Sequence, residues 1–79
     1  MERGIVIQIL GPVIDVRVEG KLPLIGDLLE VATMYDGEEE IIELEVSAIL
    51  EDIDTVRTIA LSLTDGIVRG QNVKLKRGK

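Results

Sequence analysis

Apolar and polar side chains alternate with a period of two along most of this chain. This period is typical of β-strands that bury one face and expose the other. It is clearest over residues 13–18, which predict a strand with aliphatic side chains inward and charged ones outward: Ile14, Val16 and Val18 against Asp15 and Arg17. This alternation is a strong indication that the chain folds into β-sheet.

The same reasoning predicts five more strands, over residues 4–10, 28–33, 41–48, a run from Thr55, and 72–76. In the first of these, Ile5, Ile7 and Ile9 fall on one face. In the 41–48 strand the inward set is Ile42, Leu44, Val46 and Ala48. The run from Thr55 carries apolar residues on both faces, so its buried face stays open.

Turn residues separate the predicted strands. Gly11-Pro12, Asp36-Gly37 and Asp65-Gly66 are the strongest signals, because these residue types favour tight turns. Residues 21–25 contain Pro23, which has no backbone N–H to give to a sheet, so this segment is predicted as an edge or a covering loop.

Six short strands in 79 residues are too few for two separately packed sheets. The sequence thus predicts an all-β fold, a small closed six-stranded barrel formed as one domain over residues 1–79, with a basic tail over 74–79. Residues 26–31 and 70–75 share a turn glycine and an alternating strand. This weak repeat favours pseudo-two-fold internal symmetry.

The amino-acid composition limits which catalytic and metal-binding sites the chain can form. Cys, His, Phe and Trp are absent, so the core must be aliphatic, and imidazole bases, thiolate nucleophiles and ordinary zinc sites are excluded. No glycine-rich phosphate loop ending in Gly-Lys-Ser/Thr is present either. The acidic runs at residues 38–40 and 51–54 lack the pattern of a calcium loop and are interpreted as solvated. We expect no catalytic residue, cofactor or metal. The four missing residue types are also typical of a reconstructed or designed sequence.

Charge is distributed unevenly. Residues 1–73 contain all fifteen acidic residues and five basic ones, whereas the tail contains four basic residues only: Lys74, Lys76, Arg77 and Lys79. An acidic body repels nucleic acid and anionic lipid, so only these four could attract phosphates. No apolar run approaches the roughly 18 residues of a membrane span, and no signal-peptide pattern is present. We expect a cytoplasmic protein, or a purely recombinant one if it was designed.

Two separated segments resemble the N-terminal β-barrel, or crown domain, of the F-type ATP synthase β subunit. Residues 4–16 read Gly-Ile-Val-Ile-Gln-Ile-Leu-Gly-Pro-Val-Ile-Asp-Val, like the opening of that barrel. Residues 56–60 and 64–70 read Val-Arg-Thr-Ile-Ala and Thr-Asp-Gly-Ile-Val-Arg-Gly, like its end. Between them, residues 22–25, 29–31 and 44–46 match its Leu-Pro-x-Ile and Leu-Glu-Val segments.

The resemblance implies a non-catalytic structural barrel, related to translation-factor barrels, that holds alternating α and β subunits together in a ring. The neighbouring subunits would be its partners, while an isolated barrel could be a monomer or a homo-oligomer with exchanged strands. The ATP-binding and catalytic residues of the family lie in a later domain. The chain does not match the family's linker after Val73, which predicts a truncated, isolated or designed scaffold.

Three residues are candidate contacts. We expect Arg57 to pair with a carboxylate on a neighbouring strand and Arg69 to hold the Asp65-Gly66 turn, with contact to a neighbouring subunit as the alternative for both arginines. A second function also stays open. Residues 68–75 are similar to the strand entry of small RNA-binding barrels, so the chain could bind nucleic acid through its tail. The lack of aromatic platforms for base stacking makes this partner the less expected one.

Overall fold

A computed structural model of the chain describes residues 1–76, and they form a closed antiparallel barrel. Its strands are β1 (Arg3–Leu10), β2 (Val13–Glu19), β3 (Leu28–Tyr35), β4 (Glu38–Leu50), β5 (Thr55–Ala60) and β6 (Asn72–Leu75), with a short 3₁₀ turn at Glu51–Ile53. Around the barrel the order is β1-β2-β5-β4-β3-β6. The predicted all-β, six-stranded closed barrel is confirmed.

The barrel interior is filled by aliphatic side chains. The inner face of β2 contributes Ile14, Val16 and Val18, as the alternation predicts. Each of the other strands contributes at least one buried side chain. Ile67, which lies outside the strands, is also part of the core and is only 6% exposed. The buried set is Val6, Ile14, Val16, Val18, Leu29, Val31, Ile42, Leu44, Val46, Val56, Ile67 and Val73. Branched side chains pack well on a pleated surface, which explains why a barrel without aromatic residues fills its core.

A β-bulge in β1 makes the predicted face of that strand wrong. Val6 pairs with Val16 and Gln8 pairs with Asp15, so Ile7 is an extra residue without a partner across the pair. An extra residue reverses the alternation beyond it. Ile5 therefore lies on the outer face, whereas Ile9 packs against the core.

A second bulge changes the end of β4 in the same way. Val46 pairs with Thr58 and Ala48 pairs with Arg57, which leaves Ser47 as the extra residue. Ile42, Leu44 and Val46 face inward as predicted, but the prediction for Ala48 is wrong.

Each bulge follows a valine that is bonded to a loop. Gly26 donates to the Val46 carbonyl (2.8 Å), and the Val46 N–H donates to the Asp27 carbonyl (2.9 Å). The same pair of bonds joins Gly70 and Gln71 to Val6, at 2.8 and 3.0 Å. This local pattern is thus repeated in the two halves, while two-fold symmetry of the whole fold and the relation to translation-factor barrels stay predictions.

The turn between β3 and β4 is a tight hairpin, as its sequence predicts. Tyr35 pairs with Glu38, and the two residues between them, Asp36 and Gly37, have φ of 54° and 83°. Two consecutive positive φ values are typical of the two-residue turns that join antiparallel strands. Glu38, Glu39 and Glu40, expected before the strand, are part of it.

Candidate interaction surface on the barrel wall

The outer wall of the barrel is centred on an ion pair between β2 and β5. Asp15 and Arg57 are directly opposite each other in the register of these strands. The Arg57 Nε and Nη2 atoms donate to the two Asp15 carboxylate oxygens, both at 2.9 Å. This two-bond geometry is the strongest form of a carboxylate–guanidinium contact. Arg57 thus pairs with a carboxylate on a neighbouring strand, the arrangement expected from the sequence.

Asp15 points away from the core yet is almost fully covered. Only 7% of its side chain is exposed, against 46% of the Arg57 side chain. The pair lies in a shallow hollow of about 250 Å³, lined also by Gln8, Leu10 and Val13. The outward orientation predicted from alternation is correct, and the burial arises because the residues of the hollow surround the carboxylate.

Ion pairing with Asp15 also changes the acidity of Arg57. Its pKa is raised above the ordinary value for arginine, first because the guanidinium donates hydrogen bonds to Asp15 and then because of the opposite charge. An arginine side chain is charged in any physiological solution, and the contact with Asp15 favours that charge further. Arg57 presents a fixed positive group beside the hollow.

An apolar row borders this pair. Leu10 pairs with Val13, and Val13 pairs with Ile59, so the three side chains are neighbours on the outer face. Leu61 continues the row, and its N–H bonds to the Glu43 carbonyl at 2.9 Å. Leu10, Ile59 and Leu61 are 68%, 38% and 51% exposed. We refer to Leu10, Val13, Ile59 and Leu61 as the apolar row.

The Asp65-Gly66 turn is held differently from the prediction. Within residues 1–76 no hydrogen bond or ion pair joins Arg69 to Asp65, and both residues are exposed. The Ile67 N–H instead donates to the Thr64 carbonyl at 3.0 Å. Gln71 completes the loop, since its Oε1 accepts from the Val68 N–H and its Nε2 donates to the Ala32 carbonyl. Gly66 has φ of 93° and lies against Met34 and Thr33, which favours a glycine there.

The two described lysines of the tail face acidic side chains of the body. Lys74 pairs in register with Glu30, and the Lys76 ammonium forms an ion pair with Glu43. The hydrogen bond to Glu43, followed by its negative charge, raises the pKa of Lys76 above its ordinary value of 10.5. Arg77 and Lys79, the other two predicted tail residues, lie outside the described part of the chain.

Other chemistry is limited in the described part. Residues 1–76 contain no group of three acidic side chains placed to hold a metal ion. None of their helical segments is long and apolar enough to cross a membrane.

A comparison of the sequence with models of protein families identifies the family of this barrel. The sequence model of the beta-barrel domain of the ATP synthase alpha/beta family matches residues 6–76. The chain belongs to this family. The match covers all of β2 to β6 and most of β1, so the Asp15–Arg57 pair and the apolar row lie within the matched region.

Sequence reasoning on this family barrel identified Arg57 but missed its partner. Asp15 was assigned only an outward direction, because pairing of β2 with β5 joins residues that are 42 positions apart. The apolar row was also missed, since Ile59 becomes a neighbour of Val13 and Leu10 only through the pairing of β2 with β5. The strict alternation that placed charged residues outward gave no signal for an exposed aliphatic row.

Proposed function

We propose that this chain is a non-catalytic assembly domain that packs against neighbouring α and β subunits of an ATP synthase ring. The observation that carries the proposal is the apolar row beside the paired Arg57. Adjoining exposed aliphatic side chains, as at Leu10, Ile59 and Leu61, are typical of a surface that a partner covers. Membership of the ATP synthase α/β family supplies the class of partner.

The ion pair suits such a contact. Asp15 fixes the guanidinium through Nε and Nη2, so little further side-chain freedom is lost when a partner binds. The N–H groups on Nη1 have no acceptor within residues 1–76 and can donate to a partner's carbonyl or carboxylate. Arginine is one of the residue types enriched in the energetically important part of an interface. We assign this role to Arg57. For Arg69 and Asp65, which are exposed, we propose only a contact at the periphery of the interface.

Catalysis is not part of this proposal. The sequence contains no phosphate-binding loop, imidazole or thiol. The domain contributes position and contact area to a larger enzyme, and a reconstructed or designed origin would leave that capacity unchanged. We propose the cytoplasm as its compartment in a natural host.

Binding of nucleic acid through the tail is the less favoured function. Lys74 and Lys76 are placed against Glu30 and Glu43, so half of the predicted basic cluster already faces carboxylates. The remaining body is strongly acidic and repels phosphates. No contact among the described residues favours this function over assembly.

Light scattering of the chain mixed with the separately produced barrel of an α subunit tests the proposal. We expect a mixed complex that Ile59→Glu or Leu10→Glu weakens. Leu24→Glu is the matched control, because Leu24 is similarly exposed, at 66%, but lies outside the row. No increase in mass with the α-subunit barrel would contradict the proposal. A salt-sensitive mass increase with a short RNA instead would favour the tail.

A further inference from the structure

The hairpin of β3 and β4 extends beyond the closed part of the barrel. These two strands pair over eight positions, from Leu28 opposite Glu45 to Tyr35 opposite Glu38. The pairing of β4 with β5 begins only at Leu44, opposite Ala60. Residues 38–43 of β4 therefore have a strand neighbour on one side alone.

The backbone groups on the open side of β4 can be identified. The Glu43 carbonyl accepts from Leu61 on the β5 side, so alternate residues before it also direct their N–H and C=O groups to that side. These residues are Glu39 and Ile41. Neither has a backbone partner on this side within residues 1–76. Unpaired strand edges of this kind are templates for an added strand.

We propose that the β4 edge at Glu39 and Ile41 is a strand-addition site for an extended segment of a partner protein with Lys or Arg at alternate positions. This site goes beyond the proposed packing through the apolar row, because it uses unpaired backbone groups of β4 rather than the side chains of the row. The segment continues the line of β5 along β4.

Side-chain chemistry selects the basic partner. Glu39, Ile41 and Glu43 share the outer face of β4, so an aliphatic side chain lies between two carboxylates. Ile41 is 50% exposed and can pack against the aliphatic stem of a lysine or arginine placed across from it. Glu38 and Glu40 add negative charge on the opposite face. An incoming strand with basic residues on this face places one of them across from Glu39 and forms a favourable cross-strand pair there, whereas Glu43 is already paired with Lys76 and lies beside Leu61.

A second copy of this chain does not meet that requirement through the same edge. Two β4 edges placed together would bring glutamates opposite glutamates, and directly opposed like charges are destabilising. The acidic residues thus prevent self-pairing and select a basic strand. If they only prevented self-pairing, no basic peptide would bind the edge.

Binding of a seven-residue peptide of alternating lysine and valine to the whole chain tests this proposal. We expect chemical-shift changes and slower hydrogen exchange of the Glu39 and Ile41 amides in NMR spectra. Peptides methylated on the backbone nitrogens that face β4 should lose binding, whereas methylation on the opposite side should preserve it. Unchanged amides, or equal affinity for the two methylated peptides, would overturn the proposal.

Two protein variants separate the edge from general attraction to an acidic protein. Glu39→Gln should weaken peptide binding about two- to fivefold at low salt, the range of an exposed ion pair. Glu51→Gln removes the same charge at the other end of β4 and should leave binding unchanged. Equal weakening by both variants would show a non-specific attraction and overturn the proposal. The proposal would also be overturned if the original chain bound no peptide and the triple variant Glu38→Gln, Glu39→Gln, Glu40→Gln self-associated.

Discussion

Asp15 and Arg57 join the two halves of the sequence through two 2.9 Å hydrogen bonds at the seam between β2 and β5. Arg57→Ala would leave the covered Asp15 carboxylate without its partner, which destabilises the folded state. We expect a clear fall in the urea concentration at the midpoint of unfolding. Arg57→Lys should restore only part of it, because an ammonium cannot form the two-bond contact.

Arg17→Ala is the control for the loss of an arginine from the same wall. Arg17 is exposed on β2 and forms no ion pair among the described residues. Arg17→Ala should therefore change the urea midpoint of unfolding only slightly. Equal losses for the Arg57 and Arg17 variants would contradict a structural role of the Asp15 contact.

Much of this barrel could be predicted from local sequence, because alternation and turn residues depend on near neighbours. The β2 strand and the Asp36-Gly37 turn are examples. The bulges at Ile7 and Ser47 could not be predicted from alternation, since each is defined only by the register with another strand, β2 for Ile7 and β5 for Ser47. They decide which way Ile9, Ala48 and their neighbours face. A one-residue shift in register moves every following side chain to the opposite face of the sheet, so a local pattern fails wherever the register changes.

The candidate surface was less predictable for the same reason. Arg57 could be singled out as a charged residue in a strand, but Asp15 becomes its partner only through the β2–β5 register. The expectation for Arg69 failed because Gln71 supplies the side-chain bonds of that loop. Nothing in the spacing of Asp65 and Arg69 distinguishes these alternatives.

Gly4→Ala should disturb the meeting of β1, β2 and β6. A Cβ atom at this position would lie 2.7 Å from Val16 Cγ1 and 3.4 Å from Val73 Cβ. Overpacking of this kind lowers the free energy of unfolding by about 1–3 kcal/mol. Urea denaturation measures the loss, and adding Val16→Ala to the variant tests its cause. The double variant should lose less than the sum of the two single losses, whereas a simple sum would show that the contact is not responsible.

Two buried threonines should respond oppositely to replacement by valine. Thr33 Oγ1 is buried without a hydrogen-bond partner, whereas Thr58 Oγ1 donates to the Ile14 carbonyl at 2.8 Å. Since valine has nearly the same shape, Thr33→Val removes an unsatisfied hydroxyl and should raise the free energy of unfolding by about 1 kcal/mol. Thr58→Val removes a buried bond and should lower it by about 1 kcal/mol. Thermal or urea unfolding compares them, and a loss for Thr33→Val would refute this account of its environment.

The Lys76–Glu43 ion pair should stabilise the barrel only while Lys76 is charged. The folded-state pKa of Lys76 is raised above 10.5 by Glu43, so the contribution is fully present below about pH 10.5 and is lost as the pH rises through the higher folded value. The difference in unfolding midpoint between the original chain and Lys76→Gln should be small, since the pair lies at the surface, and should shrink above pH 10.5. Lys21→Gln, which affects no ion pair within residues 1–76, should show no such change. A difference that grows with pH would be inconsistent with this pairing.

Ring assembly by a chimeric β subunit is the most direct test of the proposed role as an assembly domain. In the chimera, this chain replaces the subunit's own N-terminal barrel, and the mass of the complex with α subunits is measured by native mass spectrometry. We expect the mass of the complete α–β ring for the original chain and for Leu24→Glu, and loss of the ring for Ile59→Glu combined with Arg57→Ala. Failure of the folded, original chain to support a ring would contradict the account. So would an undiminished ring when the apolar row and Arg57 are both altered.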